Sequence, residues 1–326
     1  MVVDSFSPIL RREKLSLPDF PQKIWSELKS HVVWIEPIKD FRELSINWEI
    51  PIKCVNMKTK PDVLLATILG HEGENSILDS LKNKGWAEGL SAGANRHGFE
   101  NATFSISVSL TENGLKNWRN VVSCIISGMK HISKQNVPSY IYNESNNMRK
   151  IAYEFQQRNS DIAINYCEKL RNESIETFPL QSILIQEFNP SHVEELLDLL
   201  TLENSFITVL AKKECPVEFD RQEKWMFAKY AVFPFEGIPH VNSNVAIPNE
   251  NAFIPTDLNL IHPKKETDVH PVCLNRKDGV QLYYCPDTEF HVPQATMKFT
   301  LKTPTIKPND PKSLVLANLY LRYPYI

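Results

Sequence analysis

One segment constrains the fold more than any other. In TFSISVSL, residues 103–110, Phe104, Ile106, Val108 and Leu110 alternate with Thr or Ser, and a period of two marks a strand with one buried face and one polar face. Thr111 follows as a helix cap, after which Leu115, Trp118, Val122, Ile125, Ile126, Met129 and Ile132 recur at helical spacing. A one-sided strand running into a one-sided helix predicts helices layered on a sheet.

The neighbouring segments extend that reading. HVVWIEP and ELSINWEIP are rich in β-branched and aromatic residues and flank the turn-like Lys39-Asp40, which predicts a hairpin. Pro61 suits the first turn of a helix through VLLATILG, and SILDSLKNKG predicts a second helix ending at Gly85. Further helices are expected over 140–158, 161–170 and 192–200, with SFITVLAKK as a closing strand. Strands followed by runs of helices, without regular β-α-β alternation, give an α+β fold: a largely antiparallel sheet with helices packed on one face.

Beyond Lys213 the helical periodicity fades, and Pro234, Pro239, Pro248, Pro255 and Pro263 predict an extended connector over 214–289. FHVPQATMKFTLKTP, from Phe290, alternates as a strand, and SLVLANLYLR predicts a helix. Residues 290–326 are therefore expected to open a further, incomplete domain.

Composition serves mainly to exclude. A formal net charge of -3 and a pI near 6.3 leave no basic excess for phosphates, so no nucleic-acid partner is expected. No apolar run approaches the roughly 20 residues that cross a bilayer, so no membrane partner is expected either. MVVDSFSPILRREK lacks the basic start and long apolar core of a secretory signal, and the six cysteines lie far apart without a CxxC pair. Reduced thiols in the cytoplasm are the expectation.

Catalytic patterns fail one by one. His71-Glu72 does not complete H-E-x-x-H because position 75 is Asn, and H-x-x-E-H ending at His71 fails at Thr67 and Gly70. Catalytic zinc needs three protein ligands, so no metal ligand and no catalytic residue is assigned to this chain. No G-x-S-x-G elbow or phosphate-binding glycine loop is present, and the 10 glycines are dispersed.

LPDFP, PIKDFRELSINWEIP, ILGHEGENSILDSLKNKGWAEGL, PLQSILIQEF and IPNENAFIPTDLNLI, taken together, resemble the insulysin and nardilysin group of the pitrilysin-like zinc metallopeptidases. That resemblance implies a second, non-catalytic peptidase domain over 22–213, a connector over 214–289, and the start of a third domain over 290–326. Residues 1–21 would be the tail of a catalytic domain, and the zinc of the full-length enzyme would lie there. It also implies a peptide-binding exosite, a sheet edge that pairs with the N-terminal segment of an extended peptide. By motif position Gly70, His71 and Glu72 match the family's Gly-His-Glu turn, and Leu90, Ser91, Ala92 and Gly93 match its edge strand. The family's paired glycines become Ala92-Gly93 here, a methyl more on that strand. The implied partners are an extended peptide and the catalytic and C-terminal domains, in cis or in trans. A structural subunit that has lost peptidase function is the alternative with the same fold.

Overall fold

The alternating apolar residues of the first 255 positions gather on one face of a single sheet. The structure is a computed structural model; it describes residues 2–10, 25–97, 101–156, 161–170, 172–237, 239–260, 270–286, 292–304, 306 and 310–322. After a short helix α1 (Val2–Phe6) come β1 (His31–Ile35), β2 (Glu43–Pro51), α2 (Pro61–Leu69), α3 (Ile77–Asn83), β3 (Ala87–His97) and β4 (Asn101–Leu110). The helices α4 (Glu112–Lys116), α5 (Trp118–Ile132), α6 (Ser139–Glu154), α7 (Ile162–Leu170), α8 (Leu180–Ile183) and α9 (Pro190–Leu199) follow. The strands β5 (Ser205–Leu210), β6 (Arg221–Gln222) and β7 (Lys229–Pro234) come next.

The strand order is β3-β4-β2-β5-β1-β7-β6, and every neighbouring pair is antiparallel except β1 with β5. This is the α+β layer predicted from the sequence, with one correction. The hairpin expected from β1 and β2 does not form, because β5 lies between them, pairing Val32 with Ile207 on one side and Leu44 with Val209 on the other. Ile207 and Val209 are buried, and the central place gives them apolar neighbours on both flanks.

The two faces of the sheet differ in chemistry. Trp34, Leu44, Ile46, Trp48, Phe104 and Ile106 are fully buried in the core; each such side chain contributes roughly 1.5–3 kcal/mol. Both buried indoles have acceptors for their N–H: Trp34 Nε1 donates to the Ala211 carbonyl at 3.0 Å and Trp48 Nε1 to that of Thr201 at 2.7 Å. On the opposite face Ser45 and Ser107 hydroxyls meet at 2.8 Å, and Ser105 Oγ donates to Asn47 Oδ1 at 2.8 Å. The Ser and Thr residues that alternate through β4 belong to this polar face.

Local signals at the helix ends act as their chemistry requires. Thr111 Oγ1 accepts from the Gly114 N–H at 2.9 Å, and Ser76 Oγ accepts from the Asp79 N–H at 3.0 Å. The one long helix expected after Thr111 is instead two, α4 and α5, separated at Asn117, whose φ of -105° and ψ of 23° leave the helical region. Gly114 explains the tight first segment: a Cβ there would collide with the Trp86 carbonyl.

Residues 214–255 are more than the extended connector expected of them. β7 extends the sheet beside β1, β6 extends it again, and Val245 and Ile247 are buried in the core. Proline keeps this stretch out of helices, but extended backbone still lays apolar side chains on α5. Val245 lies against Gly128, where an added Cβ would stand 3.1 Å from its Cγ2.

Packing divides the chain after Pro255, and Thr256–Ile326 forms a second unit. It holds a hairpin of β8 (Val272–Lys277) and β9 (Val280–Tyr284), turned by Asp278 and Gly279 at φ +54° and +77°. It also holds α10 (Pro311–Arg322), on the expected helix, with Leu316, Leu319 and Tyr320 exposed. The strand expected from Phe290 does not form over 292–304, and Phe290 and His291 lie outside the described residues. Cys54, Cys124, Cys167, Cys215 and Cys273 are free thiols. Among the described residues no helix is long and apolar enough to cross a membrane.

Candidate peptide-binding edge

The seven residues singled out in the sequence fall into two segments that the fold brings together. α2 starts with Pro61 at its first turn, buries Leu64, Leu65, Ile68 and Leu69, and stops at Gly70. The Gly70 N–H donates to the Ala66 carbonyl at 2.9 Å. A Cβ on Gly70 would stand 2.8 Å from that same oxygen and 3.6 Å from the Ala92 backbone nitrogen. Crowding, not an unusual φ, is what glycine answers here, and the end of α2 rests directly on β3.

β3 is the terminal strand of the sheet, with β4 on one side. Its register places Leu90 opposite Val108, Ser91 opposite Ser107, Ala92 opposite Ile106 and Gly93 opposite Ser105, after a bulge between Ala87 and Gly89. Leu90 is 6% exposed and belongs to the core. Ser91 is exposed; Ala92 and Gly93 are half-buried. The Ala92 methyl leans toward Gly70, off the plane in which another strand would pair. Gly93 has open space where a Cβ would be.

In the turn after α2, His71 is half-buried with its ring folded over Gly73, and Glu72 is exposed. A terminal strand offers one row of N–H and C=O groups to an extended chain, and an exposed carboxylate beside it can receive an ammonium group. Among the described residues no three His, Cys, Asp or Glu side chains converge as a metal site. The donors around His71 do not fit catalytic zinc, and no step through zinc is derived for this chain.

An ionic cluster that sequence reasoning missed lies near the far end of β3. Lys60 and Asp62 flank Pro61 and are buried, at 7% and 9% exposure. Lys60 Nζ donates to the Ser182 carbonyl at 3.2 Å, and Arg149 Nη1 to that of Ile183 at 3.1 Å. Burial, then repulsion from Arg149, lowers the Lys60 pKa to about 8. Burial likewise pushes the Asp62 carboxyl up and the Arg149 guanidinium down. Lys60-Pro61-Asp62 was readable as a helix start, but its partners are too distant in sequence to signal a cluster.

Residues 1–148 match the family described as "Peptidase M16 inactive domain", and residues 152–323 match "Middle or third domain of peptidase_M16". The chain belongs to the peptidase M16 family. Over 98% of its length this M16 chain is 26% identical to "Insulin-degrading enzyme-like 2" of Arabidopsis thaliana and 27% identical to "Insulin-degrading enzyme" of Homo sapiens. Over 88% of its length it is 27% identical to "Nardilysin" of Rattus norvegicus. It covers 34%, 32% and 26% of those proteins respectively, so the M16 chain spans about a third or less of each. The crystal structure of pitrilysin superposes with a TM-score of 0.68 at 20% identity, over 86% of this chain and 30% of that one. That likeness establishes the fold of the M16 chain.

Proposed function

We propose that this chain is the non-catalytic, peptide-binding portion of an insulysin-like zinc metalloendopeptidase and is inactive alone. The observation that supports the reading is the contact between the Gly70 turn and Ala92 on the terminal strand, with Glu72 exposed two residues past Gly70. An extended peptide would add to the edge through main-chain hydrogen bonds at Ser91, Ala92 and Gly93, with its α-amino group toward Glu72. Zinc, held by a domain outside this chain, would supply the Lewis acid and activated water for hydrolysis; the residues here bind and orient. The catalytic and C-terminal domains are the proposed partners, in cis or in trans, in the cytoplasm.

Such an edge gains few hydrogen bonds against the ordering cost of a short peptide, so affinity is expected on the order of 10 μM to 1 mM. Isothermal titration of a free-amine peptide and its N-acetylated form, each against wild type and Glu72→Ala, gives a double-mutant cycle. Glu72→Ala is expected to weaken the free-amine peptide and leave the acetylated one unchanged. Clear binding in all four arms with zero coupling would remove the amine-recognition role, and no binding in any arm would remove the edge as a peptide site. Purified protein with added zinc is expected not to cleave a quenched fluorescent peptide; chelator-sensitive turnover would overturn inactivity.

A further inference from the structure

A cavity of about 250 Å³ opens beside the start of α2, lined by Lys60, Asp62, Arg96 and Ser182 among others. Its charge is not balanced by its own walls. Lys60, Arg96 and Asp62 line it, and Arg149 nearby adds its charge to the field at Lys60 and Asp62. α7 contributes one charge of each sign, Glu168 and Lys169, which offset each other. Glu173, the other carboxylate acting on Lys60, lies outside the lining and offsets Arg149; its two oxygens accept from the backbone N–H groups of Gln181 and Ser182 at 2.9 and 2.8 Å.

Two further observations point the same way. Lys60 is buried and held with its backbone at φ +42°, an arrangement a non-glycine residue adopts at a cost. Ser182 lines the cavity, and its hydroxyl oxygen is buried without a hydrogen-bond partner. Desolvated cations are costly unless an anion meets them, and Lys60 and Arg149 each have their pKa lowered by burial. The volume lies below the ~300 Å³ at which pockets for drug-sized ligands begin, so the occupant is compact.

We propose that this cavity is a binding site for a compact oxyanion, a carboxylate or a phosphate group, held by Lys60 and Arg96. The site stands independently of the peptide-edge reading. Arg96 lies on β3 four residues past Ala92, roughly 13 Å along the strand. An acidic side chain of a peptide on that edge is therefore one source of the group; a free anion is the other.

The test uses the full chain and inorganic phosphate as the probe, at ionic strength held constant with chloride, read by titration calorimetry. Saturable binding is expected, weakened about tenfold by either Lys60→Met or Arg96→Gln, since each removes a charge-assisted hydrogen bond. Arg96 is exposed, so Arg96→Gln serves even if Lys60→Met fails to fold. No binding above chloride, or equal binding by wild type and Arg96→Gln, overturns the site. Two extended peptides differing by one Glu or Gln then separate the sources. A Glu preference lost in Arg96→Gln supports a site that receives a peptide carboxylate, and absence of any preference with phosphate bound supports a free oxyanion. Failure of the Glu72 cycle has no bearing on the phosphate result, so the two readings fail separately.

Discussion

The sheet ends in two very different edges. β3 is 11 residues long and small in side chain at its centre, with the end of α2 resting on it. β6 at the other edge has two residues, Arg221 and Gln222, both exposed, and leads at once into a tight turn. Short length and charge are the usual devices for keeping a sheet edge from recruiting another chain. One edge is closed by them; the other, among the described residues, has no further strand beyond it.

Four substitutions break or sharpen that contrast. The largest effect is expected from Gly114→Ala, which drives a methyl into the carbonyl of Trp86 just before β3. A loss of about 4 kcal/mol, read from urea unfolding, is expected from such a backbone collision; an unchanged midpoint would mean that α4 does not anchor the open edge. Leu90→Ala should cost about 2–3 kcal/mol by the same measurement, because Leu90 sits in the core. Its effect on peptide affinity, measured on the folded fraction, should be small; a large one would make Leu90 a direct contact.

The closed edge yields the opposite sign. Phe227, in the turn after β6, has φ +57° and is 69% exposed, so Phe227→Gly relieves a left-handed backbone at little loss of packing. A gain of about 0.7 kcal/mol in thermal unfolding is expected after the added freedom of the unfolded chain is subtracted. Destabilisation would show that the aromatic ring is packed in solution. Gly93→Ala should add about 0.5 kcal/mol, since alanine is favoured over glycine within a strand and its Cβ meets no atom within 4 Å. If Gly93→Ala is destabilising, the backbone at that point of the open edge is not as extended as described.

What was legible in the sequence was local. β4, α2 and α5 follow from periodicity within single segments, and Thr111, Ser76 and Gly85 do at the ends what their side chains, or lack of one, dictate. The order of strands was not legible, because nothing within β1 or β2 reveals that β5 separates them. The β8–β9 hairpin carried a readable signal in Asp278-Gly279, two residues suited to positive φ, and the surrounding prolines obscured it. At the candidate edge, Gly70 and Ala92 were linked only by family resemblance; the structure supplies their contact. The Lys60 cluster draws on α2, α6 and α8, a convergence no single window could contain.

The central position of β5 also dictates a timetable. β2 and β4 can pair as soon as residue 110 has been made, but β1 has no partner until β5, beginning at Ser205, arrives. Pairings this remote along the chain close slowly, because a long loop must be ordered before they contribute. Until then Val32, Trp34, Leu44 and Ile46 lack their β5 neighbours, and a nascent chain stopped short of residue 205 would be a substrate for chaperones and proteases.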